Sequence, residues 1–267
     1  MWGVGAPRTA GGSMYAEERQ LATLARAREQ GRVEVGTLAA DFGVTPETVR
    51  RDLTVLERRG VLRRVHGGAI PIERLGFEPE VATRDRLLTD EKARIARAAL
   101  AELPDDEGAI FLDAGTTTKR LAELLPTDRA LTVVTNAVNL LDTLSLRPNL
   151  TVLFLGGRLR PRTLATVDAW ALEALREVYV DVAFLATNGF SLERGLTTSD
   201  VNEAAVKRAV IASARRTVLL ADRTKVGNDH FQRFGEPADI DTFITDTALD
   251  TDLAREIEDA GVRVLLA

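Results

Sequence analysis

Apolar residues recur along this chain with two different periods, and the change between them divides it. Over residues 16–30, Leu21, Leu24 and Ala25 fall at helical spacing and Gly31 follows where a helix C-cap belongs, which predicts a first helix. Residues 35–42 predict a second, with Leu38, Ala39 and Phe42 inward. Thr45 offers a side-chain acceptor to the free amides of a new helix, and Pro46 suits its first position because it lacks only an amide that would be orphaned there. This third helix runs to about Arg59 and Gly60 stops it. Val49, Leu53 and Leu56 stand at i, i+4 and i+7, so they form one buried stripe and leave Glu47, Thr48, Arg50, Arg51 and Thr54 largely outside it. Residues 61–65 and 69–72 flank His66-Gly67-Gly68, the pattern of a small hairpin with a glycine turn.

The stretch 72–89 has no clean periodicity and reads as an interdomain linker. A helix is expected over 90–103. Beyond it the pattern changes to short apolar runs alternating with helical segments: AIFLD, LTVVTN, LTVLFLGG, VDVAFLATNG, TVLLAD, DTFITD and VRVLLA. Seven such runs indicate a larger α/β domain over 90–267 with a mostly parallel sheet, behind a winged helix-turn-helix over 16–71. Residues 1–13, rich in Gly, Ala and Ser, read as a disordered extension.

Composition narrows the function classes. The 267 residues fit one small and one medium domain, and no apolar run approaches the ~18 residues that span a bilayer, so no membrane partner is expected. There is no cysteine, and the two histidines, His66 and His230, are far apart, so neither a metal nor another cofactor is expected. The expected compartment is cytoplasmic. A net charge of −5 argues superficially against nucleic acid, but residues 1–70 carry 11 Lys+Arg against 8 Asp+Glu. Six arginines against two acids fall within residues 50–64, concentrating positive charge on one short stretch.

That stretch is the third helix and the hairpin. A B-DNA major groove admits one α-helix, and Thr48, Arg50 and Arg51 lie in the first half of this one, where arginine can donate two bonds to guanine. Thr45 and the free amides at the helix start suit a phosphate. Arg63, Arg64 and His66 on the wing would reach neighbouring phosphates or the minor groove. The alternative is that these arginines only solvate a helix, with Asp52 and Glu57 as local ion-pair partners. Cap, stripe, helix length and hairpin agree on double-stranded operator DNA instead. Asp52 itself reads as structural, orienting an arginine.

In the second domain small and polar residues collect at the ends of the apolar runs. Asp113 leads into Gly115, Thr116 and Thr117 and then a helix, whose first amides and hydroxyls make an anion cradle. Asn136, Gly156 and Asn188 follow the next three runs, and Lys225 follows the fifth. In an open parallel sheet that edge binds ligands. Glu203 and Lys207 stand at i, i+4 on one helix, which alone would be an ordinary exposed pair.

Arg50-Arg51-Asp52-Leu53, Leu56-Glu57, Gly60, Leu62, Arg64 and His66-Gly67-Gly68-Ala69 resemble the signature of the DeoR family of transcriptional regulators, and the resemblance extends over about residues 14–260. It implies a sensor domain similar to ribose-phosphate isomerases and CoA-transferase-like proteins, with a phosphorylated sugar as effector. By that resemblance Asp113, Gly115, Thr116, Thr117, Asn136, Glu203, Lys207 and Lys225 form the ligand shell, the lysines suited to phosphate and the acids to hydroxyls. Met14-Tyr15-Ala16-Glu17-Glu18-Arg19 is similar to members placed beside fructose-use genes, which makes fructose 1-phosphate the first effector candidate. A homo-oligomeric repressor of a carbohydrate-use operon is therefore expected. Two alternatives are a sugar-phosphate isomerase with a DNA-binding appendage, in which Glu203 serves as base, and an α/β domain that only dimerises. Thr187, Asn188 and Gly189 stand where isomerase relatives carry acids, which favours sensing over catalysis.

Overall fold

The computed structural model describes residues 15–58, 61–71, 78 and 80–267. The expected extension, Arg59, Gly60 and Ile72 lie outside them. The chain divides into two compact units, residues 1–73 and 74–267.

The first unit holds α1 (Ala16–Gln30), β1 (Val33–Glu34), α2 (Val35–Phe42), α3 (Pro46–Arg58), β2 (Leu62–Val65) and β3 (Gly68–Pro71). Its core is Ala27, Val33, Val35, Leu38, Ala39, Val49, Leu53, Leu56, Leu62 and Ala69. The stripe expected on α3 is therefore the one that is buried. The face expected on α1 is only partly so: Leu24 packs against this core, but Leu21 is 68% exposed and Ala25 is also exposed, while Arg19, Gln20, Thr23 and Ala27 turn inward. The reason is on α3, where buried Asp52 accepts hydrogen bonds from Arg19 and Gln20 and so selects a polar face of α1. The wing is also larger than a hairpin, since β1 pairs antiparallel with β3 in a three-stranded sheet ordered β1-β3-β2. Gly68 permits this pairing, because a Cβ there would collide with the carbonyl of Val33.

The second unit begins with α4 (Val81–Asp85), α5 (Thr89–Ala99), a 3-10 turn (Leu100–Glu102), β4 (Ala109–Leu112), α6 (Thr116–Leu124), β5 (Leu131–Thr135), α7 (Leu141–Leu144) and β6 (Leu150–Phe154). Next come β7 (Arg158–Arg160), β8 (Ala165–Val167), α8 (Ala169–Arg176), β9 (Val180–Leu185), β10 (Gly189–Ser191), β11 (Gly195–Thr198) and α9 (Val201–Ala212). The chain ends with β12 (Ala214–Leu220), β13 (Gln232–Gly235), β14 (Thr242–Thr245), α10 (Thr251–Asp259) and β15 (Arg263–Leu266). The seven apolar runs are the seven strands of one sheet, ordered β15-β14-β12-β9-β4-β5-β6, and every pairing in it is parallel.

Alternate residues of these strands enter two different cores, as a sheet covered on both faces requires. Phe111, Ala183, Leu185, Leu219 and Phe243 pack with Ala204, Val206 and Val210 of α9 and Ile257 of α10. Ile110, Leu112, Val182, Phe184 and Val218 pack with Ile95 and Ala99 of α5 and Leu121 of α6. Strands β7 and β8 form a separate hairpin, and β10, β11 and β13 a small antiparallel sheet. The segment read as a linker is structured in its latter part: it contains α4, Glu78 is 1% exposed, and Val81 N–H donates to the carbonyl of Arg162. Within it Glu78 pairs with Arg84 and Arg160, and Asp85 with Lys119 and Arg120. Among the described residues no helix is long and apolar enough to cross a membrane, and no group of acids and histidines is placed to hold a metal.

Candidate DNA and effector sites

Helix α3 starts as its residue types dictate. Thr45 Oγ1 accepts from the Thr48 amide at 3.2 Å, and Pro46 opens the helix. Its outer face carries exposed Arg50, Arg51 and Arg58. With Glu47, Thr54, Val55 and Arg64 they line an open groove of about 480 Å³. Arg64 comes from β2, where its amide donates to Glu57 Oε1 of α3 at 2.9 Å and ties wing to helix. Arg63 and His66 are exposed on β2 and at the hairpin turn, and the His66 carbonyl accepts from Arg32 at 2.6 Å. Of the expected set the groove gathers Arg50, Arg51 and Arg64; Thr45 and Thr48 stand at the start of the helix outside its lining, and Arg63 and His66 are exposed on the wing. Charge-assisted contact with a duplex backbone and bidentate contact with base edges both need this presentation of guanidinium groups.

The second site lies at the carboxyl ends of the parallel strands. Asp113 follows β4 and is buried; its carboxylate accepts from the amides of Ala114 and Ala186, each at 2.9 Å, and from Lys207 Nζ of α9. Lys207, equally buried, also donates to the Ala186 carbonyl at 2.8 Å and stands 5.3 Å from the Phe234 ring centre. Asp113 and Lys207 are therefore partners of each other. Gly115 lets β4 turn into α6, since a Cβ there would lie 2.8 Å from Ala186 Cβ. Thr116 and Thr117 open α6 and are buried, and Thr118 Oγ1 donates back to the Asp113 carbonyl at 2.7 Å. Asn136 donates to the Thr166 carbonyl at 3.1 Å, while its buried Oδ1 has no partner among the described residues. Gly156 stands apart: it is exposed after the outermost strand, with open space about it.

Glu203 is not an exposed helix residue but a buried one, held by Thr163, by Thr198 at 3.3 Å and by Arg160 Nη1 at 3.2 Å. The same Arg160 nitrogen donates to Glu78, which also accepts from Asn188 Nδ2 at 2.8 Å and Ser199 Oγ at 3.0 Å and pairs with Arg84 at 3.4 Å. Burial and the neighbouring Glu78 charge raise the Glu203 carboxyl against the pull of Lys207 and Arg160. Burial works against ionised Glu78 too, but Arg84 and Arg160 outweigh it and bring that carboxyl to about 2. Asn188 is thereby tied to Glu78 and, through Oδ1, to Thr198 at 2.9 Å.

Cations collect beside this network. Lys92 Nζ is buried and donates to the carbonyls of Arg84 and Leu87, at the end of α4. Burial lowers it to about 8, with Lys225, Arg120 and Arg84 adding repulsion that Asp222 only partly offsets. Asp222 caps the 3-10 turn that ends at Lys225; burial pushes its carboxyl up, but Lys225, Thr224 and Lys92 hold it below the usual range. Arg120 reaches Asp85 of α4 at 3.3 Å. The buried Nε and Nη2 of Arg84 have no partner among the described residues. Sequence reasoning missed Glu78, Arg84, Lys92, Arg120 and Arg160; a run of charges without periodicity around 78–92 was the one available signal.

A family description of the DeoR-like helix-turn-helix domain matches residues 19–74, and one of the DeoR C-terminal sensor domain matches residues 88–247. The HTH-type transcriptional regulator GlpR of Haloferax volcanii is 39% identical over 86% of this chain and 90% of that protein. The glycerol-3-phosphate regulon repressor of Escherichia coli K12 is 28% identical over 90% of this chain and 94% of that one. A ribose 5-phosphate isomerase A from Methanocaldococcus jannaschii is similar at 17% identity and a TM-score of 0.38, over 52% of this chain and 54% of that one, which carries no functional argument. With both domains matched and a relative of this identity along most of its length, the chain belongs to the DeoR family of DNA-binding transcriptional regulators.

Proposed function

We propose that this regulator represses a carbohydrate-use operon as a homo-oligomer in the cytoplasm, and that a phosphorylated sugar bound at the carboxyl edge of the parallel sheet changes its hold on the operator. The observation that carries this reading is the pair of unpartnered buried donors on Arg84, whose carbonyl accepts from Lys92, a lysine that feels the charges of Lys225, Arg120 and Arg84 together. Buried guanidinium donors need acceptors, and a cluster of like charges is relieved by a dianion. The amino end of α6, at Thr116 and Thr117, adds to the same attraction. Glu203 and Asn136 then serve sugar hydroxyls, and Asp113 acts by fixing Lys207. DNA is read by Thr48, Arg50 and Arg51, with Thr45, Arg63, Arg64 and His66 on phosphates.

The isomerase alternative needs a carboxylate free to take a proton from carbon. Asp113 is engaged by two amides and Lys207, and Glu203 by two hydroxyls and Arg160. That engagement supports sensing. The relative named as a glycerol-3-phosphate regulon repressor supports a phosphate-bearing effector without singling one out. Fructose 1-phosphate heads the panel to be tested. Calorimetry against hexose, pentose and glycerol phosphates, with operator affinity measured with and without each, is the direct experiment. Binding by none of them, or unchanged operator affinity on binding, would refute the sensing mechanism.

A further inference from the structure

Helix α1 docks on α3 through an unusual face. Where a small domain ordinarily buries leucines, α1 buries Arg19, Gln20, Thr23 and Ala27 and leaves Leu21 in solvent. The polar half of that face converges on a single carboxylate: Arg19 Nε donates to Asp52 Oδ2, Arg19 Nη2 to Oδ1 at 3.2 Å, and Gln20 Nε2 to Oδ1 at 3.1 Å. Side-chain exposures of 8% for Arg19 and 7% for Asp52 put the pair in the interior. A buried ion pair is a poor source of stability, because desolvating both charges offsets most of their attraction; apolar residues of similar size often serve as well or better. What it supplies that apolar packing does not is direction. A forked guanidinium on a carboxylate has one good geometry, whereas leucines tolerate sliding and rotation.

Direction matters here because of where Asp52 sits. It immediately follows Arg50 and Arg51, and successive residues of an α-helix are separated by about 100° around the axis. Fixing the azimuth of Asp52 therefore fixes the azimuths at which both arginines leave α3. A rotation of α3 by about 20° would carry atoms at its outer radius of roughly 5 Å sideways by about 2 Å. A base-edge hydrogen bond does not survive that displacement, whereas contacts to the repeating, mobile phosphate charges do.

We infer that Asp52, held by Arg19 and Gln20, is a positioning residue for sequence discrimination: it sets the rotation of α3 at which Arg50 and Arg51 meet base edges. This rests on the assignment of α3 as the reading helix. The pair acts on the ratio of specific to non-specific affinity, while its net contribution to stability is small.

The test uses the full chain and two duplexes of equal length, one that the wild-type chain enriches from a random-sequence library and one of random sequence. In Arg19→Met/Gln20→Leu/Asp52→Leu, apolar packing replaces the ion pair together with the Gln20 amide that would otherwise lose its acceptor. This variant should keep a melting temperature within a few degrees of wild type and an unchanged affinity for the random duplex, yet lose tenfold or more of its preference for the enriched one. Asp52→Asn, nearly isosteric, should lose preference in the same sense, and Arg19→Lys alone, which keeps a cation on the Asp52 carboxylate, should lose less of it. A folded triple variant that keeps the full preference would overturn the inference. So would loss of the fold of residues 15–71 in both Asp52 variants, because the pair would then be a requirement for folding. If the wild-type chain enriched no sequence at all, the assignment of α3 as a reading helix would be what failed.

Discussion

Lys207 on α9 and Asp113 at the end of β4 are buried against each other, and the amides of Ala114 and Ala186 complete the carboxylate's shell. The pair joins a helix on one face of the sheet to its two central strands. Removing one partner strands the other charge in the interior, which ordinarily costs about 3–5 kcal/mol. Lys207→Met should therefore destabilise the second unit by that order in urea unfolding, and Lys207→Met/Asp113→Asn, which removes the stranded charge but keeps an acceptor for the amides, should regain part of it. A loss of effector response in either single variant reports this disruption along with any lost ligand contact.

Arg84→Gln should weaken binding of a phosphorylated sugar at least tenfold while leaving operator affinity without effector unchanged. The guanidinium of Arg84 supplies two charge-assisted donors that glutamine cannot replace. Calorimetry and gel-shift titration of the same preparation separate the two quantities.

Lys92 yields a pH dependence with a definite sign. Its ammonium titrates at about 8 in the folded chain against 10.5 ordinarily, so the unfolded chain binds more protons between those values. The charge therefore costs stability, by about 3 kcal/mol, below pH 8, and stability contributed at this site rises as pH goes from 8 to 10.5. A bound phosphate favours the charged form and reverses the preference. Phosphate-ester affinity should then fall between pH 8 and 10, and Lys92→Gln should flatten that fall. An equal slope in wild type and variant would assign the dependence to another group.

Arg50→Ala or Arg51→Ala should each weaken operator binding by about 1–3 kcal/mol without moving the melting temperature, since both side chains are exposed. Arg63→Ala should lower affinity more evenly across sequences, as expected of a phosphate contact.

One winged helix covers too little duplex for a selective site, and symmetric repressors read paired half-sites. Light scattering at micromolar concentration should show a dimer or larger, and a monomer with and without DNA would exclude paired reading.

The sheet was legible because its five inner strands, buried on both faces, appear as unbroken apolar runs, and the edge strands β6 and β15 are apolar runs too although largely exposed. Helix α3 was legible because its stripe, cap and charges agree. The inward face of α1 was not, since what selects it is Asp52, more than thirty positions away. Strand β1 has two residues and no pattern of its own. At the candidate effector site the strand-end residues Asp113, Gly115 and Asn136 could be found by position, but their partners could not. Glu78 and Arg84 fell in the segment read as a linker and Lys92 in the expected helix 90–103, because a local run of acids and bases reads the same whether water or other charges surround it.

The pairing of β1 with β3 bears on how the first unit can move. A free two-stranded wing could flap to fit different duplexes, but this one is stitched to the chain between α1 and α2 and, through Glu57 and the Arg64 amide, to α3. Arg50 and Arg51 on the helix and Arg63 and Arg64 on the wing therefore behave as marks on one stiff gauge. A duplex whose groove spacing departs from that gauge must itself bend to be gripped, so the mechanical compliance of the operator enters its recognition.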